Sequence, residues 1–138
     1  MKRLFVIQEH DAERAGLHWD LRFEAYGDTD TYLSKRDNTP EPLDKTSRVL
    51  KSFAVPKSRL PDFGEKLLAI PTEDHPWNYK DFEGTIPDGY GAGTVKLLFS
   101  DYIEISEMRE TKIKFAYNKK TYVIFAMGNT GKWLIMRK

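Results

Sequence analysis

The chain has 138 residues, of which 40% are hydrophobic, 13% aromatic and 31% charged, and its formal net charge is +1. This composition is typical of a single globular domain and excludes a wholly disordered chain. The absence of cysteine excludes disulfides and thiolate chemistry, so any metal would be held by His, Asp or Glu. The nearly neutral charge argues against a protein that coats long stretches of duplex, but not against an enzyme that grips one or two phosphates.

Targeting signals are weak. The apolar run at residues 4–7 is too short for the core of a signal peptide. No segment approaches the roughly 20 apolar residues of a membrane span. We therefore expect a cytoplasmic protein without membrane association.

Short segments of β-forming residues follow one another along the chain, separated by Gly, Pro, Asn and Asp. They predict strands over residues 4–10, 17–25, 50–55, 67–71, 94–99, 112–117, 121–127 and 133–137. Turn sequences at 118–120 and 128–131 predict hairpins among the last three strands, and residues 78–82 predict one helical turn. The fold class is therefore all-β with short helical turns. We expect a single domain over residues 1–138, in a compact, closed or nearly closed β-barrel. The polar stretch at 28–48 is expected to be an inserted loop.

The second predicted strand, with the sequence LHWDLRFE over residues 17–24, has two chemically different faces, because alternate strand residues point in opposite directions. One face is apolar and the other polar: Leu17, Trp19, Leu21 and Phe23 against His18, Asp20, Arg22 and Glu24. The pattern also fits an ordinary amphipathic strand, so it does not by itself establish a site.

His10 ends the preceding strand, with Gln8 on the same face. If the two strands pair antiparallel through residues 11–16, His10 and His18 come together beside Asp20. Two imidazoles and a carboxylate form a facial metal site with positions left for water or a phosphate oxygen.

The third histidine, His75, lies in the sequence Glu73-Asp74-His75-Pro76. It is either a loop residue without a role, or a general acid or hydrogen-bond donor to a transferring phosphoryl group, since an unperturbed imidazole titrates at a pKa of about 6.5. Arg22 and Lys57 are candidate phosphate ligands. The glycine-rich run at 84–93 lacks the nucleotide P-loop pattern and predicts a tight double turn that permits close backbone approach.

Several motifs occur in one order: FVIQEH, LHWDLRFE, VLKSFAVPK, EDHPWNYKDFEG and IPDGYGAGTV, followed by KWLIMRK at the C-terminus. They resemble the successive signatures of the 3′-phosphoesterase family of bacterial and archaeal DNA ligase D. The resemblance covers nearly the whole chain apart from residues 28–48 and, more loosely, 101–117. It implies a compact β-barrel that uses manganese or a similar divalent metal to remove a 3′-terminal ribonucleoside, and then the 3′ phosphate, from primer strands.

The resemblance also implies roles for individual residues. His10, His18 and Asp20 resemble the metal ligands. The implied catalytic residues are His75, Arg22 and Glu73, and the implied phosphate-binding residues are Gln8, Arg22, Lys57 and Tyr79.

The chain departs from the family pattern in places. Leu67, preceded by Lys66, stands where the family usually has a phosphate-side arginine, which predicts a weaker second, monoesterase step. His10 and His18 are two residues further apart than usual, and the glycine run is one residue shorter. The N-terminal extension of the ligase-fused form and any ligase or polymerase domain are absent from the sequence, so we expect a stand-alone monomer.

The predicted function is metal-dependent processing of the 3′ ends of DNA or RNA–DNA primer strands during non-homologous end joining. Manganese is the expected metal, with zinc or cobalt as alternatives, and a separate ligase or polymerase is an expected partner. Two other functions stay open: a ribonuclease or cyclic-phosphate esterase acting on RNA, and a non-catalytic module that binds phosphorylated nucleic-acid ends.

Overall fold

A computed structural model of the protein describes residues 1–26, 48–89, 91–109 and 111–138. The inserted loop predicted at 28–48 lies outside the described residues except for Arg48. The described part contains one 3-10 helix, Trp77–Asp81, and ten strands: β1 (Lys2–Ala12), β2 (Gly16–Tyr26), β3 (Arg48–Val55), β4 (Lys66–Leu68), β5 (Ile70–Pro76), β6 (Gly84–Ile86), β7 (Gly93–Arg109), β8 (Lys112–Tyr117), β9 (Lys120–Ala126) and β10 (Trp133–Arg137). No helix in these ranges has the length and apolar character needed to cross a bilayer.

All ten strands belong to one antiparallel sheet, which confirms the all-β prediction. Nine of them run in the order β4-β10-β9-β8-β7-β1-β2-β3-β5, and β6 pairs with β7 beside this path. The two end strands follow each other in the chain through Ala69, whose N–H donates to the carbonyl of Trp133. The described pairings do not join β4 to β5, so the closed barrel is not confirmed.

Two predicted strands differ from the structure. The segment predicted as one strand at 67–71 is divided between β4 and β5, which lie at opposite ends of the strand order. The strand predicted at 94–99 extends to Arg109. The hairpin between β8 and β9 is confirmed: Asn118 and Lys119 have φ angles of 51° and 63°. Positive φ at both residues is the geometry of a two-residue type I′ turn, whose twist matches that of the flanking strands.

The hairpin of β1 and β2 separates the core from a polar face. Phe5, Ile7, Leu21 and Phe23 point to one side and join the main hydrophobic cluster. Phe5 and Phe23 stack with their ring centroids 4.9 Å apart, a contact that adds about 0.5–1.5 kcal/mol beyond the burial of apolar area. Leu17, which was predicted to belong to the apolar face, is instead 51% exposed.

The glycine-rich run lies against β1. Gly93 pairs with Ala12 and has a φ of 146°. A Cβ atom at Gly93 would overlap the carbonyl oxygen of Asp11, so only glycine permits this approach. This contact confirms the predicted close backbone approach and holds residues 91–93 beside His10.

Candidate metal centre and phosphate site

The pairing of β1 with β2 brings the predicted metal ligands together. His10 lies directly opposite His18, and Gln8 lies opposite Asp20. One ligand atom from each of His10, His18 and Asp20 falls within 4.8 Å of the others. The predicted cluster is therefore present on the polar face of the hairpin, and its three side chains are almost completely buried.

Backbone carbonyls determine which nitrogen of each imidazole carries the proton. Nε2 of His10 lies 2.8 Å from the carbonyl oxygen of Gly91, and Nδ1 of His18 lies 3.0 Å from that of Gly16. A carbonyl can only accept, so these nitrogens donate. In each neutral ring the other nitrogen then carries a lone pair, and it faces Asp20 at 3.6 Å for His10 and 3.3 Å for His18. Histidines that bind metals are commonly oriented by such an outer hydrogen bond.

Two lone pairs and a carboxylate directed at one another require a positive charge between them. A proton is one such charge: the hydrogen bond to Asp20 raises the pKa of His18, although burial opposes this. Burial likewise disfavours ionised Asp20, but the neighbouring His10 and His18 side chains, with the charge of Arg22, hold the pKa of this carboxyl well below its usual range. A divalent cation is the other such charge, and the two-imidazole, one-carboxylate donor set suits it.

Arg22 connects this cluster to the rest of the polar face. Its guanidinium is buried and donates from Nε to Gln8 at 2.6 Å, from Nη1 to the Ser52 hydroxyl at 2.7 Å and from Nη2 to Asp20 at 3.3 Å. Nη1 also lies 3.0 Å from Nδ1 of His75. Arg22 therefore links the carboxylate of the cluster to the third histidine.

His75 reaches the polar face because of an irregularity in β5. Leu50 pairs with His75 and Ser52 pairs with Thr72, so two steps along β3 match three along β5. This extra residue in β5 lets Thr72 and His75 face the same side, which a regular strand would forbid.

The acid–base behaviour of His75 differs from the sequence expectation. Burial, followed by the charge of Arg22, lowers the pKa of His75 to about 4. The ring is therefore neutral near pH 7, whereas the sequence argument assumed titration near that pH. Nδ1 is 2.9 Å from the Glu73 carbonyl oxygen as well as 3.0 Å from Arg22 Nη1. One nitrogen cannot donate to the first and accept from the second in the same tautomer.

Tyr79 and Gln8 border the site. The Tyr79 ring lies 4.8 Å from the guanidinium carbon of Arg22 and 4.8 Å, centroid to centroid, from the His75 ring. The Gln8 amide donates to the backbone carbonyls of Tyr79 and Phe82 at 2.9 and 3.1 Å. Gln8 therefore fixes the 3-10 helix and the residue after it against β1.

The structure does not bring three other predicted residues into this network. Lys57 is exposed in the turn after β3, where it helps Arg59 to lower the pKa of Glu65. The Glu73 side chain is exposed and acts on Arg22 through its charge alone, and its described contact with His75 is through the backbone.

Leu67 lies in the hydrophobic core, opposite Ile135. The interpretation of this position as phosphate-side is therefore wrong. An arginine there would place its charge among apolar side chains, and Lys66 points outward.

Sequence reasoning missed two contributors. The Ser52 hydroxyl accepts from Arg22, and the Gly91 carbonyl orients His10. A small hydroxyl residue after Lys51, among the apolar residues of β3, was a weak sequence signal for Ser52. The contact of Gly91 with His10 depends on the pairing of distant strands, so no local signal in the sequence predicted it.

The fold and the site define an all-β domain with a two-histidine, one-carboxylate cluster beside a buried arginine. Residues 42–137 match the family model described as "DNA Ligase D 3′-phosphoesterase domain". The chain belongs to this family.

Curated relatives agree with this assignment. The chain is 45% identical over 92 residues to the multifunctional non-homologous end joining protein LigD of Pseudomonas aeruginosa, a match that covers 66% of the chain and 8% of the relative. It is 42% identical over 106 residues to LigD of Mycolicibacterium smegmatis, covering 76% of the chain and 11% of the relative. It is 44% identical over 92 residues to the Mycobacterium tuberculosis protein, covering 66% and 9%. The chain thus spans about a tenth of the length of these relatives.

The segment matched by the family model begins after the β1–β2 hairpin. It contains Lys57, His75 and Tyr79, but not His10, His18 or Asp20. The metal-binding interpretation of the cluster therefore rests on its geometry rather than on this match.

Proposed function

We propose that this domain is a divalent-metal-dependent 3′-phosphoesterase that processes the 3′ ends of DNA or RNA–DNA primer strands during end joining. The observation that carries the proposal is the pair of imidazole lone pairs directed at the Asp20 carboxylate. Family membership and the end-joining names of the relatives support the substrate class.

A cation held by His10, His18 and Asp20 would draw charge from a phosphate oxygen and help to activate water. Manganese is the proposed metal, with zinc and cobalt as alternatives that the same imidazole and carboxylate donors accept. Arg22 adds a fixed positive charge beside Asp20, with Nη2 3.3 Å from Oδ2, which favours an anionic substrate in a buried setting.

The proposed role of His75 is to donate a hydrogen bond to the phosphate as a neutral imidazole. Nδ1 lies between Arg22 Nη1, which only donates, and the Glu73 carbonyl, which only accepts, and we propose the tautomer in which Nδ1 accepts from Arg22 and Nε2 carries the proton. Nε2–H then remains available to a phosphate oxygen. Tyr79 limits the space beside both side chains and orients the ligand.

The reaction is expected to remove a terminal ribonucleoside first and the remaining 3′ phosphate second. Because Leu67 is a core residue, its identity gives no reason to expect a slow second step. Both steps would use the same charges from Arg22 and the cation.

One comparison of substrates tests the proposal against its alternatives. The protein is incubated with a DNA primer ending in a ribonucleotide, the same primer ending in a 3′ phosphate, and an RNA strand ending in a 2′,3′-cyclic phosphate, each with manganese or with EDTA. We expect manganese-dependent turnover of the first two. Preference for the RNA strand would instead indicate an RNA-directed esterase. Retention of phosphorylated ends in EDTA with no turnover in any metal would indicate a binding module.

A further inference from the structure

The 3-10 helix presents two different surfaces. Side chains three residues apart overlie each other in this type of helix. Tyr79 accordingly stacks with Phe82, their centroids 4.8 Å apart, on the side of His75 and Arg22. Trp77 lies near Lys80, with Nζ 5.6 Å from the indole centroid, on the other side. One surface borders the reaction site, and the other contacts Arg48 at the start of β3.

The second surface is a cation–aromatic stack made of Trp77, Arg48 and Lys80. The guanidinium carbon of Arg48, at the start of β3, lies 4.4 Å from the Trp77 ring centroid. The Arg48 side chain is 46% exposed. Its ion pair with Glu24 is long, with 3.9 Å between the nearest nitrogen and oxygen. Lys80 forms a 2.6 Å pair with exposed Asp81, a contact that is weak in water. The four charges balance, but the Arg48 pair is long and the Lys80 pair involves an exposed carboxylate, so both cations can still attract a phosphate.

Packing alone does not account for this stack. The β3–β5 ladder ends at the pair of Val49 with Pro76, so Trp77 lies beyond the sheet. None of the residues of the 3-10 helix is fully buried. An aromatic ring with two cations, kept partly open to solvent, is the combination that binds single-stranded nucleic acid, because rings stack on bases and cations attract phosphates.

We propose that Trp77, Arg48 and Lys80 hold the nucleotides that precede the reacting 3′ end, with Trp77 stacking on a base. This inference rests on the proposed function for its substrate. Trp77 follows His75 by two residues, so their Cα atoms are at most about 7 Å apart. Nucleotides repeat every 3.4 Å or more along a strand. The stack therefore lies one or two nucleotides from the phosphate that His75 contacts.

The test compares two eight-nucleotide DNA strands that end in the same ribonucleotide. One has all its bases, and in the other the two nucleotides before the terminus are abasic. Dissociation constants are measured by fluorescence anisotropy in EDTA, so that turnover plays no part. For the parent, the intact strand should bind about 5- to 150-fold more tightly than the abasic strand, the range expected for one stacked base. Trp77→Leu should abolish this ratio, and Trp77→Phe should restore most of it.

The two cations provide a second readout. Arg48→Gln and Lys80→Gln should each reduce the slope of log affinity against log salt by about 0.7, the value for one phosphate contact on a single strand, whereas Lys132→Gln, in the exposed turn between β9 and β10, should not. Quenching of Trp77 fluorescence by the intact strand, lost in Trp77→Phe, would support stacking even if Trp77→Leu folds poorly. An equal intact-to-abasic ratio in the parent and in folded Trp77→Leu would overturn the inference. A Trp77-dependent ratio in a parent that hydrolyses no 3′ end would overturn the proposed function but not this binding surface.

Discussion

Replacing Arg22 with methionine should cost far more stability than replacing an arginine on the surface. Arg22 is 3% exposed and donates to Gln8, Ser52 and Asp20. Arg22→Met fills a similar volume but leaves Asp20 without its guanidinium inside the protein. Removing one partner of a buried ion pair costs about 3–5 kcal/mol, because the remaining charge stays desolvated.

This magnitude is measurable and compatible with folding. Small domains have unfolding free energies of about 5–15 kcal/mol, so the variant should still fold unless the parent lies at the bottom of this range. With a urea m-value of about 2 kcal/mol/M, the midpoint should fall by about 2 M. Manganese should restore part of the loss, since a cation beside Asp20 replaces some of the missing charge.

Arg59→Met is the matched control. Arg59 makes shorter contacts with Glu65, at 2.6 and 2.8 Å, but both side chains are substantially exposed to solvent. If burial rather than distance determines the cost, the midpoint of Arg59→Met should stay close to that of the parent. Equal midpoints for Arg22→Met and Arg59→Met would refute the argument that the buried network stabilises the site.

Three further predictions concern His75 and Leu67. Because the folded-state pKa of His75 is about 4 and the unfolded value about 6.5, the unfolded chain binds the proton more readily between these values. The free energy of unfolding should therefore fall by up to about 3 kcal/mol as the pH drops from 6.5 to about 4, and by less in His75→Gln. Urea titrations at each pH measure this difference. If Nε2–H donates the hydrogen bond to the phosphate, His75→Gln should retain more turnover than His75→Asn. The reverse order would indicate the tautomer with the proton on Nδ1. Leu67→Arg should destabilise the fold by at least about 3 kcal/mol without accelerating removal of a 3′ phosphate, and a folded variant with faster release would contradict the core placement.

The sequence was informative where local periodicity determines geometry. Alternation along β2 placed His18, Asp20 and Arg22 on one face, and the short connection to β1 predicted that His10 and His18 would come together beside Asp20. The 3-10 helix was also predicted to within a residue at each end, at 78–82 against Trp77–Asp81. Each of these features depends on residues close together in the chain.

The remaining features depend on pairing between distant strands. The extra residue in β5 that turns His75 toward Ser52 is visible only once β3 and β5 are paired. The low pKa of His75 follows from burial and from Arg22, which lies 53 residues away in the sequence. Leu67 was expected beside the phosphate because of its position in the family pattern. Its side chain instead points into the core, because the alternation of the three-residue strand β4 against β10 sets its direction.

The most direct test of the proposed function is the release of product from a ribonucleotide-ended primer by the parent and by Asp20→Asn, each in manganese. Asp20→Asn keeps the shape of the side chain but removes the charge that faces both imidazoles. We expect the parent to release the nucleoside and then phosphate, and EDTA to abolish both steps. A folded Asp20→Asn should be at least about 100-fold slower, since a cation held there supplies charge to the transition state. Equal rates for the two proteins, or a parent rate unchanged by EDTA, would contradict a metal-dependent site at this cluster.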